Sequence, residues 1–272
     1  MLTPISRRAA TTALTSASLV LPWTAKAQSP AAGPALPASA EARLTALQAH
    51  PELAGARVYL ANVHPKGTSE STPLFVYARH VQGIGQDLVA SHLTYLPTGD
   101  LIIEERVTSS AGYVFKRFDV LNRQTGLVGS ATLDAGQRAL RFEGPEAIRQ
   151  KMERVSEPVV AGPNLHGHIL QHWDELANGT QLSVRLVVLS RMETLGFAIR
   201  RVDSGGKLTA FLITPSHILM RLAVSPLQVV FDNATRRVVR YEGRVPPMQT
   251  AGTRLVDLDA AVDYHWETNR YR

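Results

Sequence analysis

Short apolar runs, each closed by a cluster of turn-forming residues, recur through most of this chain, and that rhythm restricts it to a β-rich fold. The clearest unit is Val229 to Arg244 (VVFDNATRRVVRYEGR), where Val229-Val230-Phe231 and Val238-Val239-Arg240-Tyr241 flank Asp232 to Arg236. Asp and Asn side chains bond nearby backbone groups and tolerate tight turns, so this stretch reads as a β-hairpin. Phe118 to Ser130 (FDVLNRQTGLVGS) has the same plan, with Asn122 aligned to Asp232 and Thr125 to Thr235. An internal duplication and two merely similar hairpins are both open readings.

The same pattern extends in both directions. Val58 to Val63, Leu74 to Val81, Leu88 to Leu96 and Leu101 to Val107 are apolar runs parted by Pro/Gly turns, followed by Tyr113 to Leu121, Leu127 to Leu133 and Ala139 to Phe142. Beyond Gly179, Leu182, Val184, Leu186 and Val188 alternate with Ser183 and Arg185, and Leu195, Phe197 and Ile199 repeat the pattern, the period-2 signature of a half-buried strand. Asp203 to Gly206 leads by a turn into Leu208 to Ile213, Ile218 to Val224 suits either a strand or a short helix, and Arg254 to Trp266 adds a last β-like run. Turns spaced roughly 8 to 12 residues apart imply a meandering antiparallel sheet.

The middle breaks this rhythm. Pro145 to Arg154 predicts a short helix with Pro in its first turn, and Pro158 to Pro163 an extended linker. Asn164 predicts the N-cap of a helix running to about Ala177 and stopped by Asn178-Gly179. On a 3.6-residue wheel Leu165, Ile169, Trp173 and Leu176 share one face, which should pack on the sheet.

At the other end, Arg7-Arg8, an uncharged run from Ala9 to Ala25 and Ala25-Lys26-Ala27 form the layout of a signal peptide, residues 1–27, which implies export to the periplasm. Residues 28–38 are Pro- and Ala-rich and read as a spacer, and Ser39 opens a short predicted helix to Gln48. Residues 39–272 then form a single β-rich domain, with 145–178 as the helical junction between two similar halves if a duplication exists. Cleavage after Ala27 removes three basic residues, so 29 basic against 23 acidic becomes 26 against 23, a net charge of +3. With no basic run interleaved with aromatics, nucleic acid is not a partner. The apolar run is too polar and too short for a membrane span. There is no cysteine, which removes disulfides, thiolate metal sites and cysteine nucleophiles.

Five motifs together, PLFVYARH at Pro73 to His80, RFDVLNRQTG at Arg117 to Gly126, HWDELANG at His172 to Gly179, SRMETLGFAI at Ser190 to Ile199 and VVRYEGR at Val238 to Arg244, resemble a family of exported, β-rich proteobacterial proteins of unknown function. The resemblance implies a periplasmic, single-domain protein and brings no activity with it.

Candidate chemistry is sparse. His168, His172 and Glu175 are spaced i, i+4, i+7 on the middle helix and form one stripe, which suits zinc or acid-base work in a hydrolase, or else a plain helix edge with a His172–Glu175 pair. Ser204 to Lys207 matches S-x-x-K but sits in a hairpin turn, and Ser91 and His92 alternate to opposite faces of a strand. Trp173, Arg191, Glu193 and Arg240 are the binding candidates, with Arg240 expected to meet Glu193 or Asp174 if it faces inward and to be purely structural if it faces solvent. No motif calls for a cofactor.

The expected fold is mainly β: a single curved antiparallel sheet or half-open barrel with one packed central helix and minor helices, or two sandwiched sheets. The expected function is non-enzymatic and envelope-associated, with a small apolar or lipid-like ligand held between sheet and helix. The metal-dependent or acid-base hydrolase and a scaffold for an envelope protein are the alternatives.

Overall fold

The computed structural model describes residues 57–68, 72–144, 149–202, 206–217 and 224–265. The signal peptide, the spacer, the helix from Ser39, Ser204, Trp266 and most of Ile218 to Val224 lie outside the described residues. What is described is one open sheet of 15 strands rather than a sandwich, with two helices.

The first run of the sheet is β1 (Arg57–Pro65), β2 (Phe75–Ile84), β3 (Asp87–Tyr95), β4 (Leu101–Ser110), β5 (Phe115–Asn122), β6 (Leu127–Asp134), β7 (Ala139–Glu143) and β8 (Gln150–Arg154), each paired to the next. After β9 (Val159–Val160) and helices α1 (Gly162–Gln171) and α2 (Trp173–Ala177), the second run is β10 (Leu182–Val188), β11 (Glu193–Val202), β12 (Leu208–Pro215), β13 (Leu227–Asp232), β14 (Val238–Ala251) and β15 (Arg254–His265). β1 pairs with β15, which joins the two runs, and β9 pairs with β10 in the sheet's one parallel ladder. The sheet edges are therefore β8 and β9, which no ladder connects.

Those edges are neighbours in sequence. Laid flat at about 4.8 Å per strand, the edges would stand about 67 Å apart, whereas the residues between Arg154 and Val159 reach no more than about 18 Å. The sheet must bend until its edges face each other. A tie across the gap agrees: the Glu153 carboxylate of β8 accepts from Arg185 Nη2 at 3.1 Å and from the Thr194 backbone N–H at 2.9 Å.

The concave side holds the helices. Leu165, Ile169, Trp173 and Leu176 pack there with Phe197, Ile199, Phe211, Ile213, Phe231 and Val262, so the helical wheel read from the sequence gives the buried face. Trp173 lies edge-on to Phe211 and Phe231 at 5.1 and 5.5 Å, and the Arg236 guanidinium stacks 3.9 Å from its ring centre. Burying side chains such as Ile169 and Leu176 contributes roughly 1.5–3 kcal/mol each.

The turns after Phe118–Leu121 and Val229–Phe231 are built alike. Asn122 Oδ1 accepts from the N–H groups of Gln124 and Thr125 at 2.9 and 3.1 Å, and Asp232 Oδ1 accepts from Thr235 N–H and Oγ1, both at 2.8 Å. Those bonds hold the Asp232 carboxyl below its usual range. Asn122 is buried and its two bonds are half-buried, whereas those of Asp232 are exposed. Asn122→Ala is expected to cost about 1–2 kcal/mol in urea unfolding, and Asp232→Ala, at the exposed turn, clearly less. Equal losses would contradict this account of the two turns.

Two expectations about the middle are corrected. Gln150–Arg154 is strand β8 rather than the end of a helix begun at Pro145, because it completes the ladder on β7, pairing Met152 with Arg141 and Lys151 with Phe142. Asn164 is not the N-cap. That place belongs to Ala161, and Asn164 sits one turn in and reaches back to accept from the Ala161 N–H at 2.8 Å. The helix is also broken at His172, while Gly179 at φ +89° ends it as expected.

Candidate functional site

The His-bearing stripe of α1 opens onto a cleft of about 380 Å³ at one end of the sheet. Its walls are the β4–β5 turn, the link between β8 and β9, and α1; Phe115, Leu133, Val155 and Val159 supply an apolar floor, with His168 and His172 on the helix side. Tyr113 stands at the junction of these walls. It adopts φ +57°, a conformation that costs a side-chain-bearing residue energy, and its ring lies against Gly167 of α1, where an added Cβ would come within 2.1 Å of Cδ1 and Cε1. The turn is fastened by Tyr113 N–H to Ser110 O at 2.9 Å and Val114 N–H to Ser110 Oγ at 3.2 Å.

His168 is buried and pushed down to about 4, first by that burial and then by neighbouring His172, so it is a neutral imidazole near neutral pH. The two rings are 4.7 Å apart, and His172 Nδ1 lies 3.1 Å from Glu175 Oε1 on the exposed side of the helix. The stripe therefore exists as spaced, but as a buried neutral histidine beside a surface pair. Among the described residues no three His, Cys, Asp or Glu side chains are grouped to hold a metal ion.

The four binding candidates do not come together. Trp173 is in the inner layer, and Arg191 and Glu193 pair with each other at 2.7 Å near the tip between β10 and β11. Arg240 lies on the opposite side of β14 from Tyr241, where it meets Glu242 at 2.9 Å and Asp263 at 2.5 Å rather than Glu193 or Asp174. A larger groove of about 450 Å³ on the other side of β3–β7 is also self-satisfied in its charges, through Arg117–Asp119, Arg123–Glu104 and Arg141–Glu143 pairs.

Behind the cleft lies a feature the sequence reading passed over. The register of β1 to β4 sets Tyr59, Arg79, His92 and Glu105 opposite one another in a row facing α1. Ser91 falls on the other side, as alternation required. Arg79, His92 and Glu105 are all buried. Arg79 Nη2 donates to Pro163 O at the start of α1 at 2.6 Å, and Tyr264 also bonds the guanidinium. His92 Nδ1 is 3.9 Å from Glu105 Oε2, and the Tyr77 ring lies 4.7 Å from that of His92. Burial raises Glu105 to about 8 and lowers His92 to about 3, the latter helped by the Arg79 charge. The carboxyl is thus protonated and the imidazole neutral near pH 7, while Arg79 stays cationic even though burial lowers it. The only signal for this row was three polar residues inside β runs, and their meeting depends on a cross-strand register that alternation alone does not disclose.

Compared with known families, curated proteins and solved structures, the chain matches none.

Proposed function

We propose that this chain is a non-enzymatic periplasmic binding protein that holds a small apolar or lipid-like molecule in the cleft between α1 and the sheet. The observation that carries the reading is the cleft itself: its size falls in the range of small-molecule sites, and its floor is apolar with a few polar groups at the edge. The signal-peptide layout of residues 1–27 supports the compartment. No helix among the described residues is long and apolar enough to cross a membrane. The scaffold reading is less supported, because edge strand β8 carries Lys151, Glu153 and Arg154, charges that discourage strand addition.

Native mass spectrometry of the full chain purified from its own periplasm tests the proposal. A bound apolar molecule is expected, with its occupancy reduced by Leu133→Gln in the cleft floor. A ligand-free spectrum, together with no melting shift on adding medium-chain alcohols, would overturn it.

A further inference from the structure

Among the described residues, the buried row contains a charge without its counterpart. Arg79 is 5% exposed, and the groups acting on it are the tyrosines Tyr264, Tyr59 and Tyr113 rather than any carboxylate. A buried cation with no neutralising partner is costly, so its environment is incomplete as it stands. Three further observations give the missing partner a sign. Arg79 Nε, Tyr77 Oη and His92 Nε2 are buried polar atoms without hydrogen-bond partners among the described residues, and the first two are donors, the third a donor in one tautomer. Glu105, protonated by its burial, adds an acid proton instead of a competing negative charge. The ten-residue helix α1 begins beside them, with Pro163 O on Arg79 and the Gly162 α-carbon facing Glu105, so the positive end of its dipole is directed at the same place.

The apolar cleft adjoins this place through one side chain. Tyr113 lines the cleft and covers Gly167, one helical turn along α1 from Pro163, whose carbonyl Arg79 holds. From this geometry we propose that the Arg79–His92–Tyr77 cluster is an anion-receiving site for the carboxylate end of an apolar molecule whose tail occupies the cleft, with Tyr113 as the gate between them. The site's chemistry favours a carboxylate because Arg79 Nε and the Tyr77 hydroxyl can donate to its two oxygens, while of the charged residues lining the cleft, Arg138 and Glu157, Arg138 already donates to Ser156 O at 2.9 Å. The inference rests on the cleft reading above and adds the chemistry of the head group.

Calorimetric titration of the full chain with decanoate and, in parallel, 1-decanol separates the two. Decanoate is expected to bind more tightly than decanol, and Arg79→Met to weaken decanoate by about 30-fold while leaving decanol unchanged. Arg79→Met removes a buried charge but also the bonds to Pro163 O and Tyr264, so its melting curve is recorded to establish that it folds. Tyr77→Phe, which keeps the ring and deletes one donor, should weaken decanoate alone, and this holds the test open if Arg79→Met misfolds. Equal binding of both probes, insensitive to both substitutions, would sink the anion site and leave the cleft reading standing. Failure of both probes to bind would remove the two together.

Discussion

Glu105→Gln is expected to stabilise the protein by up to about 4 kcal/mol at pH 8 and to change its stability little at pH 4. Glu105 is buried on β4 facing α1, and that burial raises its carboxyl from the ordinary 4.5 to about 8. Below pH 4.5 the group is protonated folded or unfolded, so no penalty exists. As pH rises from 4.5 to 8 the unfolded chain gives up the proton while the folded chain retains it, and stability falls by about 1.4 kcal/mol per pH unit. Glutamine has the shape of the protonated acid and does not titrate, so it removes the slope. Urea unfolding of both proteins at pH 4, 6 and 8 measures this. Parallel curves across that range would show that Glu105 is ionised in the folded protein, and hence that Arg79 already has its counter-ion.

Two histidines oppose this slope from the acid side. His92 is lowered to about 3 and His168 to about 4, so each contributes stability that is complete above 6.5 and lost as pH falls through those values. Between pH 4.5 and 6.5 two imidazoles outweigh one carboxyl and stability rises with pH. Above 6.5 Glu105 acts alone and it falls. The depressed carboxyls Asp232 and Glu242 act only below the ordinary carboxyl range. These groups therefore place the stability maximum near pH 6.5.

The strands were legible because their alternation and their turn residues carry the same message. Leu182 to Val188 and Leu195 to Ile199 could be read as strands, although Val187 is buried on the face opposite Val184, and Asn122 and Asp232 could be assigned to turns because their side chains bond backbone two or three positions on. Gln150–Arg154 was not legible. Its only reason to be a strand is the free edge of β7, a tertiary fact that outweighs its helix-forming glutamine, lysine, methionine and glutamate. The row behind the cleft was hidden for a related reason. Arg191 and Glu193 are conspicuous charged residues near the helix junction, but they sit two apart on one segment and satisfy each other locally. Arg79, His92 and Glu105 are 13 residues apart in steps set by two hairpins, and become neighbours only through the pairing of β2, β3 and β4. His168 and His172 were visible by helical spacing, yet spacing could not say that one would be buried and neutral and the other exposed.

Gly167→Ala is expected to destabilise the protein by about 2 kcal/mol, although alanine is the better helix former by roughly 1 kcal/mol. The new methyl would meet Tyr113 at 2.1 Å from Cδ1 and Cε1 and 2.8 Å from Cγ. Cγ is the root of the ring and not its flexible end, so the whole ring must swing away, and the β4–β5 turn that carries it is held by Ser110 on both its backbone and its hydroxyl. Overpacking of this kind costs about 3 kcal/mol, which exceeds the helix gain. The double variant Gly167→Ala/Tyr113→Gly reverses the sign. With the ring gone the alanine methyl is free to stabilise α1, and glycine at 113 also relieves the positive φ. In a background of Tyr113→Gly, Gly167→Ala should therefore gain about 1 kcal/mol, a coupling of about 3 kcal/mol between two residues 54 positions apart. If Gly167→Ala has the same effect in both backgrounds, the ring is not seated on the helix. The cleft would then run unobstructed to Arg79, and a carboxylate would reach it without a gate to open.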